Sequence, residues 1–314
     1  MIQSLLSQAL QTVLIVALAP LLLGWVNQCR AWLQNKSGAG VLQPYRVLHK
    51  LFHKDAVLAE HASSLFRMAP YLQFGCMMLV ASIVPILATD LAFSAAADVI
   101  ALVGLFALAR LFAALAAMDV GTAFGSMGAR REMLVACLAE PALLMVLFTP
   151  VLIAQSTSLT TIVETIAHRE FVLYPSLAFA AVAFYMVALA ENARIPVDNP
   201  ATHLELTMIH EAMTLEYSAR HLALIEWASA MKLLNYSAIG IALFLPWGIV
   251  TAGDWLLMPL ALVALSLKLL VGGAGLALVE TLSAKLRIFR APEFLGTAFL
   301  LAVLGILVRL ALER

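Results

Sequence analysis

Six ionisable side chains interrupt long apolar runs: Arg110, Glu140, Glu191, Lys232, Lys268 and Glu280. Three are cationic and three anionic. A charge at the centre of a bilayer costs about 2.5–3.5 kcal/mol on insertion scales, so such groups face a helix bundle interior or a wet cavity and pair with one another. Six of them are not needed for anchoring. Their balance suits a seam in which carboxylates beside amines relay protons or ions, and the structural alternative is plain pairing between helices.

A second concentration of chemistry lies in ENARIPVDNPATHLELTMIHEAMTLEYSARHLALIEW, residues 191–227. Pro196 and Pro200 break any helix that leaves the apolar run before them. Asn199 followed by Pro200 suits a helix start, and the pattern predicts a helix over 201–217. Glu205 and Glu216 are then 11 residues apart, on one face and roughly 16 Å apart along the axis. His203 and His210 share a face as well. Thr202 with Glu205 also reads as a capping box, which would make Glu205 structural. His210-Glu211 opens like a zinc-protease motif, but Thr214 stands where the second histidine would be, so no metal site is expected. Arg194 and Asp198 complete the charged set of this loop, and Asp119 and Arg131 belong to another, at 119–132.

The elements that must hold these groups follow from composition. Of 314 residues, 63% are hydrophobic and 12% charged, and the mean hydropathy is +0.97. A soluble globular chain carries about 25% charged residues, so this one cannot clothe a water-facing surface. Nineteen basic residues balance 19 acidic ones, leaving no cationic excess for nucleic acid. Only helices and closed barrels span lipid. Here the apolar runs are continuous rather than alternating, which selects helices. A span needs about 20 apolar residues, and eight candidates run approximately over 5–26, 71–91, 97–118, 133–153, 173–191, 228–250, 255–280 and 295–312. The first lacks the basic start of a signal peptide and reads as an uncleaved span.

Orientation follows the Lys/Arg distribution. With both termini outside, the inside connections hold Arg30, Lys36, Arg46, Lys50, Lys54, Arg67, Arg130, Arg131, Arg194, Arg220, Lys285, Arg287 and Arg290, and the outside ones only Arg169, Arg309 and Arg314. The expectation is an all-α, polytopic, single integral membrane domain over 1–314. Its cytoplasmic loops lie near 27–69, 119–132, 192–227 and 281–294, long enough for a partner to dock. In the first, PYRVLHKLFHK sets Tyr45, Leu48, Leu51 and Phe52 against Arg46, Lys50, His53 and Lys54, an interfacial amphipathic helix after a sharp Gly38–Gly40 bend. Gly121, Gly125 and Gly128 make the second a flexible loop of close approach, with no phosphate-binding pattern. Cys29, Cys76 and Cys137 are too dispersed for a disulfide framework, zinc site or directly ligated cluster and read as small buried residues.

These motifs carry a family resemblance. ENARIPVD followed by HLELTMIHEAMTLEYS resembles the signature loop of the complex I membrane heel subunit. It is more similar still to the equivalent subunit of group 4 membrane-bound nickel–iron hydrogenases, the formate hydrogenlyase and energy-converting types. PYRVLHKLF, LARLFAALAAMDVGTAFGSMGARREMLVACLAEP, MK at 231–232 and LSLKLLVGGAGLALVETLSAKLR extend it in order along nearly the whole chain.

The resemblance implies a non-catalytic anchor and ion-coupling subunit in the cytoplasmic (inner) membrane. It holds no metal or cofactor itself. The nickel–iron site and iron–sulfur clusters belong to hydrogenase large and small subunits above the loop, and antiporter-like membrane subunits lie beside it. It also implies a proton or ion relay through Glu140, Glu191, Lys232, Lys268, Glu280 and Arg110. The interface acidic loop is Arg194, Asp198, Glu205 and Glu216, with Asp119 and Arg131 at matching charged positions. Two glutamates of the complex I loop are replaced here by Ala201 and His203, and about three extra residues precede Glu216. Both departures favour the hydrogenase branch. The alternatives are the heel of a quinone reductase, and a purely structural anchor.

Overall fold

The computed structural model describes residues 2–59, 61–168, 174–198, 208–251, 256–284, 286 and 290–312. Among them are eight principal helices. They are α1 (Ile2–Leu33), α3 (Ser64–Ile83), α4 (Val99–Asp119), α5 (Ala123–Ala154), α7 (Pro175–Glu191), α9 (Ala219–Phe244), α10 (Met258–Leu282) and α11 (Ala291–Leu312). Shorter ones are α2 (Gln43–Phe52), α6 (Leu159–His168) and α8 (His210–Thr214). Strands are confined, among the described residues, to β1 (Ala88–Thr89) and β2 (Val250–Thr251), paired in parallel.

Six of these helices are long and apolar enough to cross a membrane: α1 beyond its first residue, α3, α4, α5, α10 and α11. The seventh, α7, is apolar but has 17 residues, about 25 Å of helix for a hydrocarbon core of about 30 Å. The eighth, α9, has length to spare but carries His221, Glu226, Lys232 and Asn235. The chain is thus an all-α polytopic membrane protein.

Helix ends that alternate spanning assigns to one side do meet. β1 follows α3 and β2 follows α9, and the two pair. Asp98, which accepts a hydrogen bond from the Ile100 N–H and so caps α4, bridges to Ser158 beyond α5. Gln11 of α1 reaches the same end: its amide donates to the Val84 carbonyl at 2.6 Å, and its carbonyl accepts from the Ile86 and Leu87 N–H groups. A buried side chain thereby satisfies the backbone where α3 unwinds. At the opposite end, Asp119 accepts from the Ser63 N–H, tying the end of α4 to the start of α3.

Packing runs α11 on α7 and α5, α3 on α4 and α9, and α1 between α9 and α10. Phe106 stacks on Tyr236 in the centre, and Phe184 packs tilted against the same ring. The amphipathic helix is present as α2 and is used for packing. Leu48 is buried, the Tyr45 hydroxyl donates to the Ala17 carbonyl, and Phe52 meets Trp227 edge-on. Burial pushes the Tyr45 phenol upward from its ordinary pKa. The chain reaches α2 through Gly40, whose φ of +92° suits the bend expected there. Gly24 of α1 lets the Val41 carbonyl approach, since a Cβ would lie 1.9 Å from that oxygen.

Three expectations need correction. Residues 119–132 are not a flexible loop: α5 starts at Ala123, so Gly125 and Gly128 are helical, and only Gly121, at φ +74°, marks the break. Thr122 caps α5 by accepting from the Gly125 N–H. Those glycines do serve close approach, because a Cβ at Gly128 would lie 2.9 Å from both the Ala212 Cβ and the Ile209 carbonyl. Cys137 is exposed, unlike Cys29 and Cys76. Finally, no continuous helix runs over 201–217: residues 199–207 lie outside the described set, Met208 and Ile209 are not helical, and α8 ends at Thr214. Tertiary contact overrides local propensity there. Met208 and Ile209 are buried, and the Met208 carbonyl accepts from Arg131 of α5 at 3.0 Å.

Candidate functional site

Four helices bring five charged side chains together. Arg110, in the middle of α4 with a side chain 4% exposed, is the hub. Its Nε lies 3.5 Å from Glu132 and its Nη1 3.4 Å from Glu140, both on α5. Its Nη2 contacts Glu191 at the end of α7. Lys232 of α9 approaches the same Glu191 oxygen at 3.1 Å. Three carboxylates therefore share two cations. A guanidinium suits this task, since its planar fork offers five donors and stays protonated. Glu132 and Glu140 lie eight residues apart on α5, so the network extends about 12 Å along that helix.

Sequence position alone decides little of this geometry. Glu191 is the last residue of α7, followed by an Asn192 turn. It is nevertheless buried, because α4, α5 and α9 close over it. Pro141 sits directly after Glu140 inside α5, and a helical proline leaves the carbonyl four residues earlier, here that of Cys137, without its helix partner.

Two openings touch the network. A cavity of about 50 Å³ is lined by Arg110, Glu132, Glu191, Lys232, His210 and Met213, among others. It has room for ordered water bridging polar groups, and it joins the network to α8 of the 191–227 loop. A groove of about 340 Å³ between α4 and α5, lined by Gly104, Ala107, Arg110, Cys137 and Glu140, leads the other way. Glu140, with 34% of its side chain exposed, is the most accessible carboxylate of the five-residue set.

Glu280 belongs to a separate cluster. It binds Arg194 at 3.1 Å and Arg30 of α1 at 3.5 Å, and its side chain is 1% exposed. Arg194 also supplies the carbonyl that accepts from the Val197 and Asp198 N–H groups, and the Leu286 N–H donates to the Pro196 carbonyl. The start of the loop is thus strapped to the end of α10. Asp198 is buried and accepts from the His210 N–H at 3.3 Å, so it ties together the chain on either side of 199–207.

The remaining candidates disperse. Lys268 donates to the carbonyls of Leu245 and Trp247, at the far end of α9, and is not brought to Lys232. Asp119 and Arg131 hold backbone, as described. Glu216 is exposed beyond α8. Glu205 lies outside the described residues. Sequence reasoning missed Glu132 and Arg30. Glu132 falls at the edge of an apolar run and reads as loop; its eight-residue spacing to Glu140, near two turns and a shared face, is the available signal.

Such a bundle, apolar outside and wired by charge within, defines a polytopic membrane protein. The chain belongs to the NADH dehydrogenase family, whose profile matches residues 7–311. It is 33% identical over 311 residues to formate hydrogenlyase subunit 4 of Escherichia coli (strain K12), covering 98% of this chain and 99% of that one. It is 35% identical to hydrogenase-4 component C of the same organism over 239 residues, 76% of this chain and 74% of the relative. A subunit of the NADH-quinone oxidoreductase of Symbiobacterium thermophilum is 30% identical over 174 residues, 53% and 52% of the two chains. The fold matches a chain of the membrane-bound sulfane sulfur reductase, an archaeal respiratory membrane complex. The TM-score is 0.83, the identity 20%, and the match covers 96% of this chain and 99% of that one.

Proposed function

We propose that this chain is the membrane anchor and ion-coupling subunit of a group 4 nickel–iron hydrogenase complex, of the formate hydrogenlyase or energy-converting type, in the cytoplasmic membrane. The observation that carries this reading is the Arg110 hub, which holds Glu132, Glu140 and Glu191 at once with Lys232 across Glu191. End-to-end similarity to formate hydrogenlyase subunit 4 supports the hydrogenase branch.

The 191–227 loop docks the soluble hydrogenase arm, whose subunits hold the nickel–iron site and the iron–sulfur clusters. A charge change at that interface acts on the segment held by Asp198 and His210. The small cavity beside His210 and Met213 passes it, through water, to Glu191. Arg110 then shifts its balance between Glu191, Glu132 and Glu140, and Glu140 presents the result to an antiporter-like subunit in the groove between α4 and α5.

The decisive variant is Glu140→Gln. Vesicles carrying it should evolve hydrogen with the complex assembled and lose ion pumping. Unchanged pumping in both Glu140→Gln and Glu191→Gln would leave the chain a structural anchor. The partial likeness to a component of a quinone oxidoreductase motivates a second reading, the heel of a quinone reductase. Labelling of the 191–227 loop by a photo-reactive quinone would favour it.

A further inference from the structure

A second cavity, of about 480 Å³, lies between α1, α7, α9 and α10 and shares Asn192 with the small cavity beside Arg110. It exists because α10 leans on α1 and barely meets α9. Its walls are mostly apolar, including Leu22, Phe184, Leu233 and Leu276, and Gly272 leaves room on the α10 side. Along α9 the wall runs from Leu233 to Leu245. Twelve residues of helix rise about 18 Å, close to one leaflet of a hydrocarbon core about 30 Å thick.

Lys268 lines the far end of this gap, where its ammonium is taken up by the Leu245 and Trp247 carbonyls, and the near end is polar as well. Arg194 lines it and shares Glu280 with Arg30, so two guanidinium groups meet one carboxylate. Among the described residues, that cluster sets two cations around one anion beside the mouth. A gap one leaflet deep, apolar between Arg194 at its mouth and the carbonyl-bound Lys268 at its far end, matches an amphiphile with an anionic head.

We propose that an anionic phospholipid occupies this gap, with an acyl chain between α9 and α10 and its phosphate against Arg30 and Arg194. The lipid completes the packing that α9 and α10 do not make. It also joins the α10 end, which straps the start of the 191–227 loop, to the body of the bundle. The assignment stands independently of which respiratory complex the chain serves.

The test is native mass spectrometry of the whole complex released from its own membrane in mild detergent, with Gly272→Leu and Arg30→Gln alongside. A Cβ at Gly272 meets nothing within 4 Å and leucine is the better helix former, so the first variant fills the gap without a clash. The natural chain should carry phosphatidylglycerol or cardiolipin through purification. Gly272→Leu should lose it, and Arg30→Gln should shift the bound lipid towards zwitterionic phosphatidylethanolamine. Anionic lipid retained unchanged by Gly272→Leu, or zwitterionic lipid or quinone in the natural complex, would overturn the assignment. Should both variants fail to assemble, the natural complex in nanodiscs of phosphatidylglycerol bearing an acyl-chain diazirine decides. Labels on cavity residues of α9 and α10 support the site, and labels confined to outer faces refute it.

Discussion

Arg110 and Glu191 show how a charge becomes tolerable in an apolar bundle. Glu191 is 4% exposed and meets two cations, so Glu191→Gln leaves Arg110 and Lys232 facing each other across a neutral amide. Removing one partner of a buried pair typically costs about 3–5 kcal/mol. Glu191→Gln should therefore lower the thermal midpoint of the purified complex as well as its pumping, whereas the more exposed Glu140 should tolerate glutamine structurally. Lys268 provides the contrast. Its ammonium satisfies carbonyls at the end of α9, so Lys268→Met should weaken that helix end by about 1.5–3 kcal/mol, the worth of hydrogen bonds to a charged group. Ion movement per hydrogen evolved should remain unchanged. Loss of pumping in Lys268→Met without loss of stability would return it to the relay.

At the scale of elements, the loop after α7 is held by docking rather than by its own helix. Gly128 is where α5 receives Ile209, Ala212 and Met213. Gly128→Val should push that segment away, at a cost of about 1–3 kcal/mol for overpacking, read as faster proteolysis near residues 208–214. A little further on, Tyr217 stacks on Phe66 with centroids 3.9 Å apart, and its hydroxyl donates to the Phe66 carbonyl. Burial, with the nearby Asp119 carboxylate adding to it, raises this phenol well above its ordinary pKa. A raised folded-state value means the contribution to stability is complete below the unfolded value, about 10, and is lost as pH climbs beyond it. The contact should therefore release in strong alkali, seen as delayed tyrosinate absorbance. Tyr217→Phe should remove that pH dependence while giving up one buried hydrogen bond.

On the scale of the whole molecule, two polar seams cross an apolar body: Arg110 with its carboxylates, and Glu280 with its two arginines. Each includes a carboxylate at or near the end of a helix that leads into a basic connection, Glu191 of α7 and Glu280 of α10. A protease-cleavable tag in the 27–69 connection should be cut only from the cytoplasmic side of sealed vesicles, and cleavage from outside would reverse the orientation. The role of such a chain is legible only alongside the complexes its relatives belong to.

Much of this architecture is written in the order of residues. Apolar runs of span length, separated by loops unequal in basic charge, dictate helices and their alternation, because backbone in lipid must satisfy its own hydrogen bonds. Six charges inside those runs announce pairing. The order does not say who pairs with whom. Arg110 and Glu191 are 81 positions apart, and Glu132 reads as loop, yet one guanidinium gathers them only after α4, α5 and α7 pack. Lys268 and Lys232 look equivalent along the chain, and packing sends them to different ends. A helix is readable over 201–217 from its Asn199-Pro200 start, but Met208 and Ile209, where the segment meets α5, are not helical. Periodicity is a local property that the chain carries alone, whereas charge partners and loop shape depend on which faces are left to meet once the bundle has closed.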